Sequence, residues 1–367
     1  MTAHLTRRAF AQLTVAAMGA AVVGTMTGCS AADAAPTASA KAGSAGTAAA
    51  KLRLGYFDNV THAPALIGLQ EGILAKSLGS TTLTTEIFNA GPATIEALSA
   101  GAIDAAFIGP SPAISSYASS GGKSIRIISG ATNGGAALVV SKDITKASQL
   151  KGKTLASPQL GNTQDVALRT WLAKQGLSTS LTGGGDVTIT PTDNAQTLAL
   201  FKQGKLDGAW LPEPWVSRLV IEGGAHVLVN ETSQWKGGKF PTTVLVANQS
   251  FIDAHGKTVD ALVKGHQASV DWLNSHSRQD VADAVNAKLK ADSGTSLDDT
   301  ELQRALGQVT FGLDPIASTF PELQNHAIKL GLSKSADLHG IFDLTSVNAQ
   351  LKAAKKAAVS SAGLGVK

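Results

Sequence analysis

The residues best suited to chemistry in this chain sit in short loops, each closing one predicted strand and most of them opening a predicted helix. In the first part of the chain they are Asp58-Asn59-Val60-Thr61-His62, Asn89-Ala90-Gly91-Pro92, Gly109-Pro110-Ser111-Pro112 and Asn133-Gly134-Gly135. In the second they are Gln159-Leu160-Gly161-Asn162-Thr163-Gln164, Thr192-Asp193-Asn194 and Trp210-Leu211-Pro212-Glu213-Pro214-Trp215. Small residues, hydroxyls and amides dominate. At a helix start the unpaired backbone N–H groups and the positive end of the dipole attract an anion. Ser111 before one helix, and Asn162 or Thr163 before another, are best placed for this. His62, Asn89, Gly109, Asn133, Gly161, Trp210 and Glu213 complete the candidate ligand set. Each has an ordinary structural explanation as well, since Ser, Thr and Asn cap helices and glycine shapes turns. What makes a site of them is that two successive units present such loops at corresponding ends. Two facing helix starts replace much of the hydration of one small anion.

Two residues fit that picture awkwardly. A carboxylate at Glu213 repels a bound anion, more so once water is excluded. It either caps its own helix, pairs with Arg218 or a protonated His62, or takes the ammonium of a solute that carries one. His62 either offers N–H donors or is a plain loop residue. Trp210 and Trp215 are core residues or cleft walls, and the strand-end position of Trp210 favours the cleft.

Catalysis finds little support. The histidines at 62, 226, 255, 266, 276, 326 and 339 form no close metal-ligand pair of the helical kind, and no cysteine pairs with them. G-x-S-x-G, a P-loop and a dinucleotide fingerprint are missing, and Gly183-Gly184-Gly185 precedes a strand, the wrong context for phosphate. An exported hydrolase with a triad scattered along the sequence remains the rival class. A metal held by His62, Asp193 and Glu213 across a cleft is a further alternative. No cofactor is expected.

The elements that would position these loops alternate. Strands are predicted at 52–57, 82–88, 105–108, 125–129 and 136–140, with helices at 65–78, 93–100 and 112–119 between them. A second set follows: strands at 154–156, 187–190, 208–210 and 225–229, helices at 163–175, 194–202 and 214–222. A strand at 243–248 leads into helices at 259–274, 280–290, 298–309 and 316–330 and a terminal helix. This alternation predicts an α/β fold in which each lobe is a mainly parallel sheet flanked by helices. Lobe 1 would hold 51–140 and 249–367, and lobe 2 would hold 141–248, with hinge crossings near 137–143 and 243–249. Ligands in open α/β sheets sit beyond the carboxyl ends of the strands, which here face the cleft.

The N-terminus predicts where the protein works. Arg7-Arg8-Ala9-Phe10, an apolar run from Leu13 and small residues ending in Cys29 have the layout of an export signal over 1–28, twin-arginine-like, with a lipobox. The apolar run is too short to span a bilayer. Cys29 is the only cysteine, so its expected use is lipidation, although Met26 stands where a lipobox has leucine. Residues 29–50, rich in Ala, Ser, Thr and Gly, read as a flexible tether. The protein is thus expected to be exported and held by a lipid on Cys29 at the outer face of the cell membrane or in the periplasm. The chain carries 31 Lys+Arg against 27 Asp+Glu, without a basic patch, which argues against nucleic acid as a partner.

The run Phe88-Asn89-Ala90-Gly91-Pro92, with Glu96-Ala97-Leu98, Gly101 and Asp104 after it, resembles the first-lobe signature of solute-binding proteins of nitrate, sulfonate and taurine importers. Leu150-Lys151-Gly152-Lys153, Gly204-Lys205-Leu206-Asp207-Gly208-Ala209-Trp210 and Glu213-Pro214-Trp215 follow in the same order, so the resemblance spans about residues 52 to 345. It implies a two-lobed periplasmic-binding-protein clamp (type II) that captures a small anionic solute and delivers it to an ABC transporter permease, as a monomer and without being an enzyme. An aliphatic sulfonate is the implied solute. Taurine, nitrate, a thiamine-pyrimidine precursor and a metal ion are the alternatives. The resemblance places the ligand head against Gly109-Pro110-Ser111 and Gly161-Asn162-Thr163, with Trp210 as a wall.

Overall fold

The structure is a computed structural model and describes residues 46–366; the expected signal, Cys29 and most of the tether lie outside the described residues. Strand β1 (Lys51–Tyr56) begins where apolar residues start to recur, and it buries Leu52 and Leu54 completely. After it come α1 (Ala63–Gln70), α2 (Ile73–Leu78), β2 (Thr82–Ile87), α3 (Gly91–Ser99), β3 (Ala105–Ile108), α4 (Pro110–Ser119) and β4 (Ile125–Gly134). The second sheet is built from β5 (Ala136–Val140), β6 (Thr154–Ser157), α5 (Thr163–Lys174), β7 (Thr188–Pro191), α6 (Asn194–Lys202), β8 (Gly208–Pro212), α7 (Trp215–Ile221) and β9 (His226–Asn230). The chain then returns through β10 (Pro241–Asn248), α8 (Gln249–Ser275), α9 (Arg278–Ser293), α10 (Asp299–Leu306), β11 (Val309–Phe311), α11 (Phe320–Lys329) and α12 (Thr345–Ala353).

Two mixed sheets make the two lobes, with strand orders β11-β4-β10-β3-β1-β2 and β7-β6-β8-β5-β9. In the first sheet β1, β2, β3 and β4 share one direction, and β10 is inserted antiparallel between β3 and β4. In the second, β6, β7, β8 and β9 share one direction, and β5 is inserted antiparallel between β8 and β9. The inserted strand in each lobe is the first strand after a crossing. β4 ends in the first sheet at Gly134 and β5 begins in the second at Ala136, while the return lies between Asn230 and Pro241. Both passages come a few residues before the positions expected from sequence, so β5 belongs to the second sheet and β10 to the first. The connection at the first passage, Gly134-Gly135, has both residues at positive φ (78° and 72°), a conformation that favours glycine.

Two local expectations are corrected. The helix expected at 65–78 is broken by Gly72, which adopts φ 63°. The helix expected at 298–309 stops at Leu306, and Val309–Phe311 pairs with Thr132–Gly134 along the free edge of β4. An open sheet edge outweighs helical spacing there. In the second lobe the pleat sends Leu138, Val140 and Trp210 into one core and Ala137, Val139, Ala209 and Leu211 into another, one on each face of the sheet.

Candidate functional site

The carboxyl ends of β1, β2, β3, β6, β7 and β8 converge, and a small chamber lies between them. Phe57, Asn59, Thr61, His62, Asn89, Gly109 and Thr242 line it from the first lobe. Pro158, Asn162, Gln164, Asn194 and Pro212 line it from the second. The chamber offers about 20 Å³ to the centres of water-sized spheres, room for about one water. Asn59, Asn89 and Asn194 also line a larger vestibule of about 310 Å³ on the same measure, together with Asp58, Asp193, Trp215 and Arg218.

No Lys, Arg, Asp or Glu lines the chamber. Its polar groups are amides, hydroxyls and one imidazole. His62 is 2% exposed and stacks on Phe57 with ring centroids 4.2 Å apart. Burial pulls its pKa down to about 3, so the ring is neutral at physiological pH. Its Nδ1 accepts the Phe57 backbone N–H at 3.2 Å, which leaves Nε2 to carry the proton and act as a donor.

The starts of α3, α4, α5 and α6 reach the chamber through Asn89, Gly109, Asn162 and Asn194. Prolines strip α4 of most of its donors: Pro110 and Pro112 have no N–H, and that of Ser111 donates to Thr163 Oγ1 at 3.3 Å. The helix supplies its field more than its hydrogen bonds. The loop before α5 is held from behind by Asp165, which accepts from Ser157 Oγ (2.7 Å), Gly161 N (2.9 Å) and Arg169 Nε (3.0 Å). Asp165 and Arg169 are both fully buried.

The lobes touch through specific bonds. Asn162 Oδ1 accepts from Gly91 N at 3.4 Å, and Trp215 Nε1 donates to Asn59 Oδ1 at 2.8 Å. Arg304 of α10 donates to Glu213 Oε1 (3.3 Å) and Ser217 Oγ (2.8 Å) at the start of α7.

Residues 45–287 match the NMT1-like family. The chain belongs to the NMT1-like family. It is 26% identical to the taurine-binding periplasmic protein of Escherichia coli over 204 residues, covering 55% of this chain and 60% of that protein's length. Two solved structures share the fold. The alkanesulfonate-binding protein of Xanthomonas axonopodis pv. citri, bound to MOPS, superposes with a TM-score of 0.65 at 23% identity, over 79% of this chain and 96% of that one. The nitrate-binding protein of Synechocystis PCC 6803 gives 0.64 at 17% identity, over 79% and 84%.

In this NMT1-like chain the structure brings His62, Asn89, Gly109 and Asn162 to the chamber wall. Ser111 and Thr163 lie just behind it, where they join the lobes; Ser111 Oγ is buried with no partner. Gly161, at φ 77°, lines an outer groove with Pro92, Pro112 and Leu160. Asn133 lies on β4 opposite Thr310, away from the chamber lining.

Trp210 and Glu213 are not chamber residues. Trp210 is wholly buried in mid-strand, packs near Trp171 and donates to Glu231 Oε2 at 2.8 Å. Glu213 turns onto α7, accepts from Ser217 N at 3.0 Å and pairs with Arg304 rather than with Arg218 or His62. Burial holds its carboxyl above the ordinary range, while Ser217 and Arg304 oppose that. With His62 in the chamber, Asp193 in the vestibule and Glu213 turned away, the metal set considered from sequence does not assemble. Among the described residues no group of three or more His, Cys, Asp or Glu is arranged to hold a metal ion. No described helix is long and apolar enough to cross a membrane.

The sequence reading missed Phe57, Asn59, Thr61, Pro158, Gln164, Asn194, Pro212 and Thr242 as lining residues. All but Thr242 stand in or beside loops already singled out, where the strand-end rule alone would have found them. Thr242 arrives with the return crossing and donates to Gly134 O, a contact with no sequence signal.

The tight approach of Gly109 to Thr163 across the lobes gives a direct test of closure. A Cβ on Gly109 would fall 2.4 Å from Thr163 Oγ1. Gly109→Ala is therefore expected to prop the lobes apart at an overpacking cost of about 1–3 kcal/mol, which weakens solute affinity roughly five- to hundredfold. Small-angle scattering with titration calorimetry measures both effects; unchanged affinity would show that the lobes close without this contact.

Proposed function

We propose that this protein is the solute-binding component of an ABC importer, capturing a small anionic organic solute between its lobes and presenting it to a permease. The observation that carries the reading is a small chamber, free of charged side chains, into which helix starts from both lobes converge. A head group rich in acceptors suits the amides of Asn59, Asn89, Asn162, Gln164 and Asn194 and the Nε2–H of His62. Glu213, turned away, no longer repels it. An aliphatic sulfonate is the first candidate, its head in the chamber and its tail in the vestibule. The alkanesulfonate-, taurine- and nitrate-binding relatives support that class of solute.

Each lobe holds one side of the solute, and the closed form is selected when both engage. The two passages at 134–136 and 230–241 are the proposed hinges. No step of this cycle makes or breaks a covalent bond. Lipidation at Cys29, export and a monomeric state complete the proposal: a clamp tethered beside its permease.

A thermal-shift screen of the purified protein against alkanesulfonates, taurine, nitrate, sulfate, a thiamine-pyrimidine precursor and divalent metals tests it. A solute at about a hundredfold its dissociation constant stabilises by roughly 2.7 kcal/mol. A rise with a sulfonate that sulfate does not reproduce is expected. A rise with metals alone, or with no anion, would overturn the solute class.

A further inference from the structure

With no charged side chain in its lining, the chamber can tell one head group from another only by which end of each amide and imidazole it presents. Turning an amide by half a rotation exchanges donors for an acceptor. In this lining the choice is made by partners that can only donate. The Phe57 backbone N–H occupies Nδ1 of His62 and leaves the Nε2–H over. The Trp215 indole N–H reaches Asn59 Oδ1 at 2.8 Å. An indole has no acceptor to offer, so the oxygen of Asn59 must face it and the two N–H groups of Nδ2 are left over. The Gly91 backbone N–H reaches Asn162 Oδ1 at 3.4 Å, and Asn162 Nδ2 donates to Gln164 Oε1 at 3.1 Å. That relay leaves the Nε2 donors of Gln164 over.

Asn59, Asn162 and Gln164 are all buried. A reversed amide at Asn59 or Asn162 would set N–H against N–H, which a buried site penalises because no water relieves it. Asn194 is the contrast: it lines the chamber, yet its Oδ1 is buried with no partner, so no donor fixes its orientation. The contacts that fix Asn59 and Asn162 both cross between the lobes. Trp215 opens α7 on the second lobe, and Asn59 follows β1 on the first; Gly91 opens α3 on the first, and Asn162 precedes α5 on the second. Parting the lobes breaks both.

We propose that Trp215 is a positioning residue for solute selection: on closure its indole turns the Asn59 amide so that donors face the chamber, and the relay from Gly91 through Asn162 to Gln164 does the same from the other side. Preference for a head group made only of acceptors is then a property of the closed form. In the open form Asn59 and Asn162 lack their fixed partners, and either end of each amide can meet a solute. Closure then rejects any head group that carries its own N–H or O–H. A contact that only held the lobes together would weaken every solute alike when removed; one that sets amide direction changes their ratio. This proposal rests on the reading of the chamber as the solute site.

Calorimetry on the purified protein with an isosteric pair tests it: ethanesulfonate, whose head has only acceptors, and ethanesulfonamide, in which an NH2 replaces one oxygen. Trp215→Phe keeps an aromatic ring beneath Arg218 and removes the donor. The wild-type protein is expected to prefer the sulfonate by about tenfold or more. Trp215→Phe is expected to weaken the sulfonate about two- to tenfold without weakening the sulfonamide, so that the ratio falls. In an Asn59→Ala background the same substitution should leave the ratio where it is. An equal loss for both compounds shows that Trp215 only helps the lobes meet; that result, or an unchanged ratio with the fold intact by circular dichroism, overturns the proposal and leaves the chamber reading standing. Failure of the wild-type protein to bind either compound overturns the chamber as a sulfonate site and the proposal with it.

Discussion

Arg169→Leu is expected to lower the unfolding free energy by about 3–5 kcal/mol, the usual consequence of removing one partner from a buried ion pair. The guanidinium and the carboxylate of Asp165 are both fully enclosed. Without Arg169, Asp165 keeps only the Ser157 hydroxyl and the Gly161 N–H to answer its charge. Arg169 also donates to Ser180 O at 2.8 Å, so its loss frees the segment after α5 as well. The double variant Asp165→Asn/Arg169→Leu should recover part of the loss, because no charge is then stranded. Because Asp165 holds the turn that carries Asn162, the single variant should lose solute affinity along with stability. Urea melts read the first effect and calorimetry the second. A loss below about 1 kcal/mol would mean that water reaches the stranded carboxylate and that the pair is no internal strut.

The second large effect depends on pH. Glu231 lies on the return path between the lobes, is 1% exposed, and receives the indole N–H groups of Trp210 (2.8 Å) and Trp235 (3.4 Å). Lys174 and His326 line the same small cavity, but neither forms an ion pair with it. Burial raises its pKa to about 7 from an ordinary 4.5, and the two indoles only partly offset that. The folded state therefore holds a proton that the unfolded chain gives up. Between pH 4.5 and 7 this group makes the fold less stable as pH rises, by about 3 kcal/mol over the whole interval, and the effect is flat above it. His62 acts in the opposite sense: with its pKa near 3, it costs stability as pH falls below 6.5. Glu231→Gln should remove the first slope and leave the second. Melts across pH 4–8 for both proteins decide it, and parallel curves would show that Glu231 does not titrate in this interval.

The alternation of short apolar runs with longer helical stretches made the two-lobed α/β fold legible, because most strands have Gly, Pro or Asn close to at least one end. Where long-range pairing decides, the sequence was silent. Nothing local says that Val309–Phe311 leaves a helical pattern to pair with β4, or that the crossings precede β5 and β10. The strand-end rule found His62, Asn89, Gly109 and Asn162, since a chamber at the carboxyl edge must be walled by those loops. It failed for Trp210, the third residue of a five-residue strand, which lies under the helix layer and not at the edge. It failed for Glu213 because the partner that turns it away, Arg304, is 91 residues distant.

The inserted strands also set the order in which this chain can fold. All of the second sheet comes from one continuous stretch, 136–230, so its pairings close without residues from either flank. The first sheet is different: β3 and β4 are joined only through β10, which lies more than a hundred residues after β4 begins. As the chain leaves the ribosome, strands β1 to β4 must wait with two edges open until the second lobe and Asn248 have been made. Long-range pairing of this kind folds slowly and leaves apolar edges exposed meanwhile. Substitutions that speed closure of the second lobe should therefore shorten the lifetime of that half-built sheet, and variants of β10 should show themselves first as poor yield of folded protein.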